Sequence, residues 1–403
     1  MNHIDGSCAF ATGNYRNLFV EIGRSQKEVT EKVNTAFQQL FYGDPCTQAI
    51  YYPVGRNANG PLAYIWDVAN NDVRSEGMSY GMMIAVQLDK KTEFDAIWNW
   101  AKTYMYHDSA NHPAWGYFSW SVRIDGTPID EMPAPDGEEY FAMSLYFAAN
   151  RWGNGQGIYN YKAEADRLLS DMKNREIITN QTINGLRVVG NIFDDEHKMV
   201  RFSPVIEIRD HTDPSYHLPA FYELWALWGP QQDRQFWAQT AAVSRDFFLK
   251  TTHPVTGLSP EYANFDGSPW VGSHNSQAVH FSGDAWRTAM NWSVDWAWWG
   301  KDARQRQLSD RLQAFFESKG LSTYGNQFTL DGNQLGSDRS DGLVAANAVA
   351  GLAATNPRAK QFVEALWNAS VPAGQYRYYD GMLYMLATLH CGGEFRIWHP
   401  NKP

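Results

Sequence analysis

Apolar side chains recur at intervals of three and four residues along most of this chain, a period that suits helices and cannot settle as strands. Ser25-Gln-Lys-Glu28 is a capping-box pattern, and Val29, Val33, Ala36, Phe37 and Leu40 behind it fall on one helical face. The same spacing returns at Phe94/Ile97/Trp98/Ala101/Met105, Phe141/Leu145/Ala148/Trp152 and Ala165/Leu168/Leu169/Met172. It returns again at Phe221/Leu224/Trp225/Trp228, Trp237/Ala241/Phe248 and Leu308/Leu312/Phe315/Phe316. Segments near 77–89, 284–299, 341–354, 357–368 and 376–388 bring the expected total to about twelve helices, which pair as six helical hairpins.

Strand signal is confined to short pieces such as Gly116–Val122 and Leu186–Ile192, without the alternation of a doubly wound sheet. No linker, charge block or low-complexity tract marks a boundary, so residues 1–403 are expected to form one all-α domain. Long loops rich in Gly, Pro, Asn, Asp and aromatics separate helices at 43–74, 106–135, 174–215 and 250–283. Loops of that length are usually functional. If the hairpins close into a toroid, these loops and the helix N-termini line one open end.

Composition narrows the partners. Lys plus Arg is 34 against Asp plus Glu 44, and a net charge of −10 offers no footprint for nucleic acid or an anionic membrane. Cys8, Cys46 and Cys391 form no CxxC pair, which argues against a disulfide framework or a zinc ribbon. The start MNHIDGSCAF shows no basic and apolar leader, and no apolar run is long enough to span a bilayer, so a cytoplasmic location is expected; a processed secreted chain would read the same way. The 17 Trp, 21 Tyr and 21 Phe exceed what a Leu/Ile/Val core requires, so some rings are candidates for stacking on a flat ligand such as a sugar; core packing is the competing use.

Gly77-Met-Ser79-Tyr-Gly81 matches the nucleophile-elbow pattern, yet Asn70–Glu76 ahead of it is too polar for the buried strand that motif needs. The histidines do not reach metal-ligand spacing, and no metal or cofactor is required. Three carboxylates are more informative. Glu76 begins a helix among small and apolar residues; it is either a general acid with a raised pKa or a dipole-stabilising residue partnered by Arg74. Asp136, in Asp-Gly-Glu-Glu139, is either a functional carboxylate or an N-cap with Glu139 closing the box. Asp284, with Arg287 one turn on, is either a structural ion pair or a base held ionised. Chemistry on a neutral sugar needs one protonated carboxyl for the leaving oxygen and one ionised carboxylate to activate water.

On these residues the sequence resembles glycoside hydrolase family 8. Ala134-Pro-Asp136-Gly-Glu138-Glu-Tyr-Phe-Ala through Ala149-Asn-Arg-Trp152 is similar to the family's helix signature, and Asp72–Gly81 to its acid-bearing helix start. Asp213–Tyr222, Tyr376–Tyr384 and Tyr15–Leu18 resemble three further stretches, in order along nearly the whole chain. The closest likeness is to the xylan-acting branch. The resemblance implies an (α/α)6 barrel and inversion, with Glu76 as general acid, Asp284 as general base and Asp136 holding the central sugar. It also implies Tyr216 positioning the water, Arg287 orienting the base, and acid and base about 6.5–9.5 Å apart. Trp120 and Tyr379 resemble sugar-stacking aromatics, with Trp66 and Trp286 nominated from this sequence alone.

In the branch's reducing-end exo-enzymes a Leu-His-Pro segment is implicated in blocking the aglycone side. Here Ser337-Asp-Arg-Ser-Asp341 precedes Gly342–Ala348, without the His and Pro; Arg339 is either a substitute donor or a solvated loop residue. The expectation is therefore an inverting xylanase acting on xylan or xylo-oligosaccharides, with endo action placed ahead of reducing-end exo action. A glycan-binding toroid that does not cut its ligand is the alternative from another class.

Overall fold

A computed structural model describes residues 8–178, 182–183, 186–273 and 275–400 of the chain. Each expected helical segment is a helix: α1 Gln26–Tyr42, α2 Ser75–Gln87, α3 Lys91–Tyr104, α4 Pro135–Trp152, α5 Tyr161–Asn174 and α6 Pro219–Trp228. The second half holds α7 Arg234–Thr251, α8 Thr288–Trp299, α9 Arg304–Ser318, α10 Asp341–Val349, α11 Ala359–Asn368 and α12 Arg377–Cys391. The capping box of α1 is formed, Ser25 Oγ accepting the Glu28 N–H and the Glu28 carboxylate accepting the Ser25 N–H.

Besides the one-turn helices Ala9–Thr12 and Leu18–Glu21, these twelve are of two kinds, alternating along the chain. In α2 every residue except Glu76 is buried, and α4, α8, α10 and α12 are buried over most of their length. A helix apolar on every side belongs in the interior. By contrast α1, α3, α5, α7, α9 and α11 each bury one stripe. Inner helices pack in the cycle α12–α2–α4 and α6–α8–α10–α12. The remaining step, α4 to α6, is joined by the Tyr222 hydroxyl donating to Glu139 at 2.6 Å and by Tyr140 edge-on to Phe221 at 5.1 Å. Every inner helix packs on the outer helix that follows it, and α12 packs on α1, so the two chain ends make the sixth hairpin. This is the (α/α)6 barrel. Trp98, Trp100, Trp225, Trp237, Trp292 and Trp298 are fully buried in it, which assigns much of the aromatic excess to packing.

The loop expected over 43–74 contains an antiparallel hairpin, β1 Tyr51–Asn57 and β2 Gly60–Ile65, packed on α3. Its alternation is masked in sequence by Pro53, Gly55 and Pro61, and the register shifts between Pro53 and Arg56. Within the expected strand region Gly116–Val122 only Ser121–Val122 (β4) is a strand, between β3 Val73–Arg74 and β5 Pro128–Asp130. Of the region expected at Leu186–Ile192, Leu186–Arg187 pairs with Thr182–Ile183. The chain's first seven and last three residues, part of the single domain expected over 1–403, lie outside the described residues.

Candidate active site

The N-termini of the inner helices meet at one mouth of the barrel, and the chemistry-bearing residues stand there. Strand β3 runs directly into α2, and the Ser75 N–H donates to the Trp120 carbonyl at 3.0 Å, which sets the first turn carrying Glu76 beside β4. Two glycines let neighbouring elements approach that turn. A Cβ at Gly137 would stand 2.5 Å from Ser75 Oγ, so a larger residue there would push α4, and Asp136 with it, away from Glu76. A Cβ at Gly77 would stand 2.5 Å from the Tyr378 ring, whose hydroxyl donates to Glu76 Oε1 at 2.8 Å.

Arg287 is the hub. Its Nη1 donates to Glu76 Oε2 at 2.9 Å, Asp136 Oδ2 at 2.9 Å and the Tyr80 hydroxyl at 2.8 Å. Its Nη2 lies 3.1 Å from Asp284 Oδ1 and donates to Ser215 Oγ at 2.9 Å. Sequence reasoning gave Arg287 to Asp284 alone; the structure brings all three nominated carboxylates to it. The oxygens of Glu76 and Asp284 sit on different amino nitrogens of one planar fork, which limits their separation to about 8 Å, compatible with the about 6.5–9.5 Å that leaves room for an attacking water.

One cation facing three carboxylates is an unbalanced site. Burial pushes the Glu76 carboxyl up to about 7; Arg287 opposes the rise, and Asp136 and Asp284 add to it. The Asp136 carboxyl is likewise raised by burial against the pull of Arg287. The acid and base candidates differ in exposure: the Glu76 side chain retains 15% of its surface and Asp284 36%. The two more sheltered carboxyls, Glu76 and Asp136, are the raised ones, and Asp284 is the most open of the three.

Several local expectations are corrected. Arg74 does not pair with Glu76; its Nε lies 3.0 Å from Asp72 and 3.3 Å from Asp67. Asp136 and Glu139 form no capping box, because Asp136 is already inside the helix, where it faces Arg287, and Glu139 turns to Tyr222. Ser79 is fully buried within α2 and donates to the Glu76 carbonyl, so no nucleophile elbow exists.

Two cavities flank the carboxylates. A narrow one of about 290 Å³ is lined by Trp120, Met132, Phe202, Tyr216 and Tyr262 with Glu76, Asp136, Asp284 and Arg287. Tyr216 is 5% exposed, its ring 5.7 Å from the Arg287 guanidinium. The Arg74 guanidinium lies over Trp120 at 5.3 Å. A wider cavity of about 750 Å³ is lined by Asp67, Asn70, Trp286, Asp338, Arg339 and Tyr376–Tyr379 apart from Arg377. Tyr379 lies 5.7 Å from Trp286, whose indole N–H is taken by the Asn326 carbonyl. Arg339 is exposed on the rim; it donates to the Leu321 carbonyl at 2.9 Å and lies over Tyr324. Trp66 lines neither cavity and packs edge-on to Tyr52.

Sequence reasoning missed Tyr80, Ser215, Tyr378, Asp213 and Glu261. Tyr80 stands one helical turn after Glu76, a spacing that would have found it. Asp213 is fully buried, accepts the Ser215 N–H at 2.7 Å, and has its carboxyl raised by burial and by Asp284. Among the described residues no group of three or more His, Cys, Asp and Glu is arranged to hold a metal ion.

A barrel mouth of this kind, with three carboxylates on one arginine and a cavity lined by aromatic rings on each side, suits a glycoside hydrolase. The chain belongs to glycosyl hydrolases family 8, an inverting family, whose model matches residues 65–393. It is 43% identical over 399 residues to the reducing-end xylose-releasing exo-oligoxylanase Rex8A of Paenibacillus barcinonensis, covering 98% of this chain and 100% of that one. Identity to a reducing end xylose-releasing exo-oligoxylanase of Halalkalibacterium halodurans is 42%, over 98% of this chain and 97% of the relative. Among solved structures, a xylohexaose complex of a catalytic mutant of a family 8 xylanase from Teredinibacter turnerae superposes with a TM-score of 0.95 at 58% identity, covering 97% of this chain and 100% of that one.

Proposed function

We propose that this protein hydrolyses β-1,4-xylosidic bonds in xylan-derived oligosaccharides with inversion, Glu76 acting as general acid and Asp284 as general base. The observation that supports the assignment of roles is the Arg287 bridge, which holds a sheltered carboxyl with raised pKa and a more open carboxylate on the two amino nitrogens of one guanidinium. Glu76 donates its proton to the leaving glycosidic oxygen, and Asp284 takes a proton from water attacking the opposite face of the sugar. Tyr216 borders the same cavity and positions that water. Asp136, with both oxygens engaged by Arg287 and the Gly137 N–H, is a fixed acceptor for hydroxyls of the central sugar. Trp120 stacks on sugar in the narrow cavity and Tyr379 in the wide one. The substrate is uncharged, which agrees with a site whose buried Arg287 is saturated by carboxylates.

Reducing-end exo action is the better supported mode, because both curated relatives above carry that activity over their full length. It replaces the endo preference drawn from the missing Leu-His-Pro segment. Endo cleavage stays as a second reading on one observation: Asp338, Arg339 and Ser340 border a cavity of about 750 Å³ instead of filling it. Reducing-end-labelled xylohexaose separates the modes. Labelled xylose as the sole first product is the expected result, a spread of labelled lengths establishes endo action, and intact xylohexaose would mean a binding protein.

We also place the protein in the cytoplasm, where the exposed free thiol of Cys46 is suited to a reducing compartment; fractionation of the producing cells tests this. Among the described residues no helix is long and apolar enough to cross a membrane.

A further inference from the structure

The peptide unit between Gly283 and Asp284 is gripped by side chains at both of its polar ends. Its carbonyl, from Gly283, accepts the Tyr379 hydroxyl at 2.8 Å. Its N–H, from Asp284, donates to Glu261 Oε1 at 3.2 Å. Neither bond is part of a helix ladder or a sheet. Both are made by residues more than twenty positions away, Tyr379 on α12 and Glu261 on the loop after α7.

A peptide plane with both ends bound cannot swing, and the plane ahead of Asp284 fixes the N–Cα bond from which its side chain is carried. Glu261 itself is anchored. Its N–H donates to the His280 carbonyl, and two residues on Ala263 bridges to Thr212, next to the turn that carries Asp213, Ser215 and Tyr216. The fit is close: a Cβ at Gly283 would come within 3.3 Å of Glu261 Oε1.

We infer that Glu261 and the Tyr379 hydroxyl form a two-sided clamp that aims Asp284, making Glu261 a positioning residue for the general base; this rests on the assignment of Asp284 as that base. Burial and the nearby Asp284 carboxylate raise the Glu261 carboxyl to about 7. A neutral or charged side-chain oxygen serves equally as the acceptor, so the clamp depends on shape and not on charge.

The test is a double-mutant cycle on xylohexaose. Glu261→Ala is expected to lower kcat at least tenfold while KM changes less than twofold, and Glu261→Gln, which keeps an acceptor oxygen, to restore kcat to within threefold of wild type. Tyr379→Phe keeps the ring and loses the hydroxyl; it is expected to lower kcat with little change in KM. In an Asp284→Ala background, Glu261→Ala is expected to add no further loss, because its effect passes through the base. Wild-type kcat in Glu261→Ala, equal losses in the Ala and Gln variants, or full additivity in the Asp284→Ala background would each overturn the clamp. Near wild-type activity in Asp284→Ala alone would instead overturn the base assignment, whatever Glu261 does. A variant that loses only melting temperature, with its kcat intact, also counts against the clamp.

Discussion

Two buried arginines, one at each end of the α8 region, bind carboxylates in opposite ways. Arg245 on α7 holds Asp295 through two bonds of 2.7 Å and Glu223 through a third. Lys301 takes the other oxygen of Glu223, and Gln305 donates to Asp295 at 2.6 Å. Two carboxylates thus face two cations, and the cluster fastens α6, α7 and α8 together. Arg287, just before α8, faces three carboxylates with no second cation bonded to them among the described residues. Burial and the neighbouring carboxylates raise the Glu76 carboxyl against the pull of Arg287, and burial raises Asp136 as well. Matched charge fastens helices, while a surplus of carboxylates on one cation leaves raised carboxyls beside the cavities.

The comparison breaks most sharply at the proposed acid and base. Glu76→Ala and Asp284→Ala are each expected to lower kcat on xylohexaose about 10³-fold or more, within the range for lost general acid–base catalysis, with cooperative unfolding preserved. Near wild-type turnover in either variant would reduce the Arg287 cluster to a second fastener. Next come the arginines themselves. Arg245→Met is expected to cost about 3–5 kcal/mol in stability, since it strands buried carboxylates, while turnover per folded molecule stays within about twofold. Arg287→Met is expected to lose turnover at least a hundredfold, the cost of losing the group that aligns acid and base. Denaturant melts and kcat on the same samples decide; matched stability and activity losses at both sites would erase the distinction.

A pH series sharpens it. As the proposed general acid, Glu76 must be protonated to donate, so kcat/KM is expected to fall as pH rises through about 7. Stability moves the same way. The folded-state pKa lies above the unfolded value, so the contribution is complete below the unfolded carboxyl range and is lost as pH rises through about 7. Glu76→Gln is therefore expected to raise Tm relative to wild type at pH 8 and to leave it nearly unchanged at pH 4. A wild-type alkaline limb that Glu76→Gln does not alter in Tm points to another group.

Legibility in the sequence followed the same line between surface and interior. Outer helices such as α1 and α3 announce themselves by a stripe, because one face meets water. Inner helices such as α2 carry small and apolar residues all round, so their existence was readable but not their place in the ring. Glu76, Asp136 and Asp284 were recognisable as acids at helix starts. Their meeting on one guanidinium was not, since Glu76 and Arg287 are 211 positions apart and local spacing says nothing of that contact. Glu261 gave no signal at all: it stands in an irregular loop, and its partner is a backbone N–H, which has no sequence signature. The hairpin β1–β2 was hidden by its own Pro and Gly residues.

A smaller effect is expected at the groove. Trp120 presents its ring to the narrow cavity with Arg74 against it, and losing a stacked aromatic face costs about 1 kcal/mol beyond burial. Trp120→Ala is thus expected to raise KM for xylohexaose about five- to tenfold with kcat changed much less. Loss confined to kcat would assign Trp120 to the chemistry and not to sugar binding.

The smallest effect tests whether charge imbalance matters where no substrate reaches. Asp136, Glu138 and Glu139 share the first turns of α4, yet only Asp136 faces Arg287. Glu138 points inward, where Oε1 accepts the Phe118 N–H at 2.9 Å and Oε2 has no hydrogen-bond partner among the described residues. Burial raises its carboxyl to about 8, with the Phe118 N–H pulling the other way. Because the folded pKa is raised, its stabilisation is whole below the ordinary carboxyl range and is lost as pH climbs through about 8. Glu138→Gln retains the acceptor for Phe118 and cannot ionise, so its Tm is expected to fall less than that of wild type between pH 6 and 9, with kcat within twofold throughout. A flattened Tm profile with unchanged kcat would show that a raised carboxyl makes an acid catalyst only where it meets both a bridging arginine and an open cavity. Parallel profiles for the two proteins would instead mean that Glu138 stays neutral across this range and carries no pH dependence of its own.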